Sequence, residues 1–219
     1  MALEARVAVG ERRRFALALP GGSIARAFLP VLAAAPLPWE SMALFWVDER
    51  AVSTDDPESN AGSARLLLAG SPAIDSAHWY PMKIGASLEV SAQAYARQLV
   101  FALGNPPVLD VALLGIGEDG HVASLFPGRE PPEVAWVAVE RNAPKPPRER
   151  VTMTYGTLAA ASVVCIAAIG PGKAGILRSL LVAPSPELPA SRVLASARKA
   201  WVFADDAAAA LLPRGRGSS

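Results

Sequence analysis

The sequence predicts a single-domain α/β fold over residues 1–213: a mostly parallel, Rossmann-like sheet with helices on both faces. Three observations carry this. Short apolar runs alternate along the chain with helical stretches, the pattern of strand–loop–helix units. Polar segments, several of them glycine-containing, follow directly after those runs, where ligands meet the carboxyl ends of parallel strands. The 219 residues are 52% hydrophobic, enough for one large core, and no period of roughly 20–50 residues repeats.

The elements follow in order. Phe15–Leu19 reads as a buried strand, then Pro20-Gly21-Gly22-Ser23, then a helix from Ser23 to about Ala34. Ala43–Val47 is a second strand, ending at Asp48-Glu49-Arg50. Ser59–Leu68 is helical, with Ser59 or Asn60 as its cap. Ser87–Leu103 is the best amphipathic helix, stopped by Gly104-Asn-Pro-Pro107. Leu109–Leu114 is a third strand, followed by Gly115-Ile-Gly-Glu-Asp-Gly-His121, and Val134–Val139 a fourth. Arg141–Arg150, rich in proline and charge, reads as a surface loop. A short strand over Val151–Tyr155 precedes a helix over Gly156–Ala161. Val163–Ile169 is another buried strand, followed by Gly170-Pro-Gly-Lys173 and a helix to about Leu181. Ala200–Phe203 is the last strand, Asp205–Leu212 the last helix, and 214–219 a flexible tail.

Composition narrows the function classes. With 21 Lys+Arg against 20 Asp+Glu, the net charge is +1. That balance argues against a dedicated nucleic-acid binder and, with the apolar content, against a disordered chain. One cysteine, Cys165, cannot form an internal disulfide and lies in an apolar run, so it reads as inert core in a reducing compartment. The longest apolar run, Leu158–Ile169, falls short of the roughly 18 residues that span a bilayer. Met1–Arg6 lacks a signal layout. The expectation is a cytoplasmic protein with no nucleic-acid or membrane partner, a monomer or weak homodimer.

Four segments sit just after predicted strands and can converge on one pocket. Gly21-Gly22-Ser23 links strand to helix; its glycines can turn backbone N–H groups toward an anion at a helix N-terminus, although an ordinary tight turn looks the same in sequence. Asp48-Glu49-Arg50 offers a guanidinium fork for phosphate and a carboxylate for a sugar. The loop through Asp119 and His121 is the most informative, because it delivers a carboxylate and an imidazole together, and His exchanges protons near neutral pH. Lys173 is unfavourable for the dipole at a helix start, which points to a phosphate grip.

Other features carry less. His78 reads as structural and Arg192 as a surface charge. Two separated histidines and one buried cysteine make no structural zinc site, and no Gly-x-Ser-x-Gly elbow occurs. Gly115-x-Gly-x-x-Gly120 matches a dinucleotide fingerprint only on paper, since no acid ends a strand about 20 residues on.

Four segments together resemble the 6-phosphogluconolactonase family. They are Phe45-Trp-Val-Asp-Glu-Arg50-Ala-Val with Ser59-Asn60, Asp110 through Gly128, Arg150-Val-Thr-Met-Thr154, and Gly170-Pro-Gly-Lys173-Ala. The wider superfamily includes glucosamine-6-phosphate deaminase and ribose-5-phosphate isomerase. The deaminases carry a Glu five residues beyond the histidine, where this chain has Phe126. The resemblance implies hydrolysis of 6-phospho-D-glucono-1,5-lactone in the oxidative pentose phosphate pathway, with no cofactor or metal. It implies that His121 activates water and that Arg50 and Lys173 hold the phosphate, helped by Gly21, Gly22 and Ser23. Either Asp119 or Asp48 would orient the imidazole, and amides of the Gly115–Gly120 loop would meet the oxyanion. An isomerase, a deaminase or a non-catalytic sugar-phosphate sensor on the same scaffold are the rival expectations.

Overall fold

The computed structural model of the chain describes residues 14–131 and 135–213; the expected tail and Val134 lie outside them. Its strands are β1 (Phe15–Leu19), β2 (Met42–Trp46), β3 (Asp48–Arg50), β4 (His78–Tyr80), β5 (Val111–Gly115), β6 (Val137–Glu140), β7 (Arg150–Met153), β8 (Val163–Ala168) and β9 (Ala200–Ala204). The helices are α1 (Gly22–Ala34), α2 (Asn60–Leu67), α3 (Pro72–Ser76), α4 (Leu88–Leu103), α5 (Tyr155–Ala159), α6 (Ala174–Val182), α7 (Pro189–Ser196) and α8 (Asp206–Ala209).

Six strands form one sheet in the order β4-β2-β1-β5-β8-β9, with every neighbouring pair parallel. All five residues of β1 and of β2 are buried, so both faces are covered, as continuous apolar runs require. The chain steps outward from β1 to β2 and β4, then returns to the other side of β1 with β5. The order therefore reverses between β1 and β5, and the crevice beyond their carboxyl ends is where such sheets bind ligands.

A second sheet was not expected from the sequence. It is antiparallel, in the order β3-β7-β6. Asp48-Glu49-Arg50, read as the polar end of the preceding strand, forms β3 itself. Alternation explains why three charges are tolerated there. The Glu49 side chain turns to the start of α2, where its carboxylate accepts from the backbone amides of Arg50, Asn60 and Ala61 and from Ser59 Oγ. Asp48 and Arg50 face the other way, into the site. Burial pushes the Glu49 carboxyl up, more than the three amides draw it down.

The loop expected over Arg141–Arg150 ends one residue early, because Arg150 is buried and opens β7. Helix α7 and strand β4 carried no clear sequence signal; α7 lies in a proline-flanked stretch and is tied to the glycine loop by Ala190 N donating to Gly120 O at 3.0 Å. His78 is exposed on β4, Arg192 pairs with Glu130 at 2.5 Å, and Cys165 is buried in β8. Among the described residues no helix is long and apolar enough to cross a membrane.

Candidate active site

Two connected recesses open beyond the carboxyl ends of β1, β5 and β8. The inner one, about 170 Å³, lies against Gly21, Gly22, Ser23, Asp48 and Ala123. The outer one, about 390 Å³, lies against Glu58, Glu118, Asp119, Phe126 and the segment Pro144–Pro146. Arg50, Gly117, His121, Arg150 and Lys173 line both. All eight residues singled out in the sequence for the site fall on these walls. A larger groove of about 730 Å³, bounded by α1, β5, β8 and β9, is apolar and holds none of them.

The inner recess ends on the first turn of α1, whose free amides and dipole favour an anion. Gly21 is there for space. A Cβ on it would lie 1.7 Å from Asn60 Oδ1. That Asn60 amide in turn donates to the Asp48 carbonyl at 2.9 Å and to Asp48 Oδ1 at 3.0 Å. Asp48 Oδ2 accepts from Ser124 Oγ at 2.6 Å. These bonds account for both carboxylate oxygens of Asp48, and neither goes to the imidazole.

Asp119 makes that contact instead. His121 Nδ1 lies 2.5 Å from Asp119 Oδ1, and the His121 amide donates to the same oxygen at 3.2 Å. The ring lies close to Gly117, where a Cβ would come within 2.0 Å of Nδ1. It also meets the Phe126 ring, 4.8 Å between centroids. Nδ1 is thus engaged and Nε2 is the nitrogen left for substrate or water. Partial burial works to raise the Asp119 carboxyl, but the His121 charge and the bonds from its ring and amide outweigh it, so it sits below the ordinary carboxylate value.

That direction fixes a pH dependence. A depressed carboxyl contributes its interaction in full above the ordinary value, near 4, and loses it only as pH falls through the depressed one. Asp119→Asn keeps the shape and removes the charge. It is expected to lower kcat about 10²-fold, the cost of a misoriented group, across the neutral range. Steady-state turnover between pH 5 and 8 checks this, and unchanged kcat would detach Asp119 from the ring's function.

Arg50 donates from Nη1 to the Glu58 carbonyl at 3.0 Å and to Glu58 Oε2 at 3.4 Å, while its Nε has no partner. Lys173 closes a short 3-10 turn, Pro171–Lys173, at the start of α6. Within the glycine loop, Gly117 N donates to His121 O and Gly120 N to Gly117 O. Those two amides, among the ones expected to meet an oxyanion, are therefore already taken. Sequence reasoning missed Arg150, Ser124 and Asn60 as parts of the site. All three lie in the segments that resemble the family, but nothing in the sequence assigns any of them a role in the site.

In sequence and in fold the chain is similar to known proteins. A family profile described as glucosamine-6-phosphate isomerases/6-phosphogluconolactonase matches residues 1–202. The chain is 37% identical over 214 residues to a 6-phosphogluconolactonase of Rattus norvegicus, covering 93% of this chain and 82% of that one. It is 35% identical over 218 residues to a 6-phosphogluconolactonase of Mycobacterium leprae, covering 92% and 87%. Among solved structures, the 6-phosphogluconolactonase from Trypanosoma cruzi superposes with a TM-score of 0.83 at 26% identity, covering 97% and 90%.

Proposed function

The chain belongs to the glucosamine-6-phosphate isomerase/6-phosphogluconolactonase family and hydrolyses 6-phosphogluconolactone; from that premise we propose how its residues do so. His121 Nε2 takes a proton from a water, which attacks the lactone carbonyl carbon. The carbonyl oxygen becomes an oxyanion. As the ring C–O bond breaks, the imidazolium returns the proton to the departing ring oxygen, giving the open 6-phosphogluconate. Asp119 holds the ring in the tautomer with its proton on Nδ1 and stabilises the imidazolium while it lasts. Arg50, Lys173 and the first turn of α1 hold the 6-phosphate. The reaction would serve the oxidative pentose phosphate pathway.

The observation that carries this reading is the Asp119–His121 pair, whose imidazole stands on the wall shared by both recesses together with three cationic side chains. A δ-lactone needs an activated water and a proton for its alkoxide, and one orientable imidazole supplies both. Phe126 bears on the choice within the family. An apolar, 4%-exposed ring packs on His121 where the deaminases have an acid for opening a sugar ring.

The test is loss of 6-phosphoglucono-δ-lactone, generated in situ at slightly acidic pH to slow spontaneous opening. Acceleration over the blank supports the reading. No acceleration, together with ammonia release from glucosamine 6-phosphate, would move the chain to the deaminase branch. In the same assay Arg50→Ala is expected to raise KM by about 10–100-fold, as for a lost charge-assisted hydrogen bond of roughly 1.5–3 kcal/mol. Its kcat should change much less. An unchanged KM takes Arg50 out of the phosphate site.

A further inference from the structure

The six-stranded sheet has two edges, and they differ. An edge strand exposes unpaired N–H and C=O groups, which proteins keep from pairing by shortness, charge or proline. Strand β4 is three residues long and Pro81 follows it at once. Strand β9 has none of these guards. Its five residues, Ala-Trp-Val-Phe-Ala, carry neither charge nor proline, and among the described residues it pairs with β8 alone. On it Trp201 is 51% and Phe203 56% exposed.

The bonds to β8 fix which backbone groups are left over. Val164 N donates to Lys199 O and Asp205 N to Ala168 O, so the odd-numbered residues turn their backbone toward β8. In a pleated strand the even-numbered ones then turn theirs outward, and Ala200, Val202 and Ala204 present N–H and C=O along the open edge. Side chains alternate as well. Trp201 and Phe203 face the apolar groove, on the same side as Cys165 and Ala167. The ends of the strand are opposite in charge. Arg198 and Lys199 precede it, Asp205 and Asp206 follow it, and all four are exposed. Lys199 stands over the Trp201 ring, 5.8 Å from its centroid. Asp205 accepts from Ala208 N and Gly170 N, which fixes its place at the end of the strand.

We propose that β9 is the interface of a homodimer, in which a second copy of the chain adds its own β9 antiparallel across a two-fold axis at Val202. One patch then meets itself, as in an isologous contact. Val202 lies opposite Val202 of the second copy and Ala200 opposite its Ala204, and each such pair exchanges two N–H···O bonds. Trp201 lies opposite Phe203 of the second copy, an aromatic pair of the kind that favours opposed strands. Arg198 and Lys199 come to the end where the second copy has Asp206 and Asp205, so both ends close on opposite charges. Sliding the register by two residues sets Lys199 against Phe203, or Asp205 against Trp201, and the charge match is lost. That match is what selects a second copy as the occupant, since one strand carries both halves of it. None of these residues lines either recess of the candidate active site.

The experiment is analytical ultracentrifugation of the full chain in a series up to about 200 μM, a range that captures weak pairing. Wild type is expected to show a monomer–dimer equilibrium. Val202→Pro should raise the dissociation constant at least about tenfold, because each dimer loses two N–H donors. The outward Val202 N–H is not part of the ladder to β8, so the monomer's own sheet is kept. Asp206→Arg sets arginines against each other at both ends and should weaken the dimer about 3–10-fold. Adding Arg198→Asp to the same chain restores opposite charges and should return the constant to within about twofold of wild type. This charge exchange keeps the test alive if the proline variant does not fold. In every variant kcat per chain should stay at the wild-type value. A wild type that is monomeric throughout the series overturns the proposal, and slow hydrogen exchange at Ala200, Val202 and Ala204 in that monomer would show that the chain covers its own edge. A dimer indifferent to Val202→Pro overturns it too, since the copies then meet elsewhere. So does a double charge variant no tighter than Asp206→Arg, since the register is then a different one.

Discussion

His121→Ala is expected to lower kcat by about 10²–10⁴-fold, the usual contribution of a positioned general base, while 6-phosphogluconate still binds within about threefold of wild type. The two halves of this expectation have separate structural grounds. The imidazole is the one group in the recesses with a ring nitrogen left free by an internal bond, and its partner Asp119 lies on the far side of the ring from that nitrogen. The cationic side chains of the recesses, by contrast, are held by contacts that do not include His121. Arg50 is anchored by Glu58 and Arg150 by the carbonyls of Lys145 and Pro147. Removing the ring would therefore take away the proposed proton transfer and leave those cations in place. The measurement is lactone disappearance with the variant beside wild type, and calorimetry with 6-phosphogluconate. Turnover near wild type would discard the base. Collapse of both turnover and binding would mean that the ring is a structural part of the phosphate site.

How much of this was legible depends on how local each feature is. Gly21-Gly22-Ser23, Asp119, His121 and Lys173 each follow an apolar strand in the sequence, so a parallel sheet gathers them without any detail of packing. Arg50 was legible as a residue but not as part of an element. A three-residue strand shows no periodicity, and the turning-in of Glu49 depends on the amides of Asn60 and Ala61, which arrive only when α2 starts. Asp48 and Asp119 were equal candidates for orienting the ring. The choice is made by Ser124 and Asn60, which occupy the Asp48 carboxylate, and neither is near it in sequence. Arg150 was out of reach for the same reason. Its place comes from the register with β3, one hundred residues away; in the sequence it ends a proline-rich, charged loop and opens a family-like segment, and neither puts it beside Arg50.

Gly117→Ala is expected to abolish most activity without removing a single functional group, by about 10²-fold or more in kcat, the cost of moving a reacting group by roughly 1 Å. The added Cβ would stand 2.0 Å from His121 Nδ1, 2.2 Å from its Cε1 and 2.5 Å from Asp119 Oδ1. Real Cβ atoms do not approach so closely, and the atoms in the way include the two that define the pair. The ring and the carboxylate must both swing out, toward the solvent they already partly face, with side-chain exposures of 32% and 43%. Since the displaced groups are near the surface, the cost in stability should be small beside that in rate, about 1 kcal/mol in the usual range for point substitutions. Thermal unfolding and steady-state kinetics on the same preparation separate the two. A variant that melts near wild type but turns over slowly places the loss in the geometry of the pair. A variant with wild-type kcat would mean that the ring reaches its working position without the Asp119 contact, and the tautomer argument would fall with it.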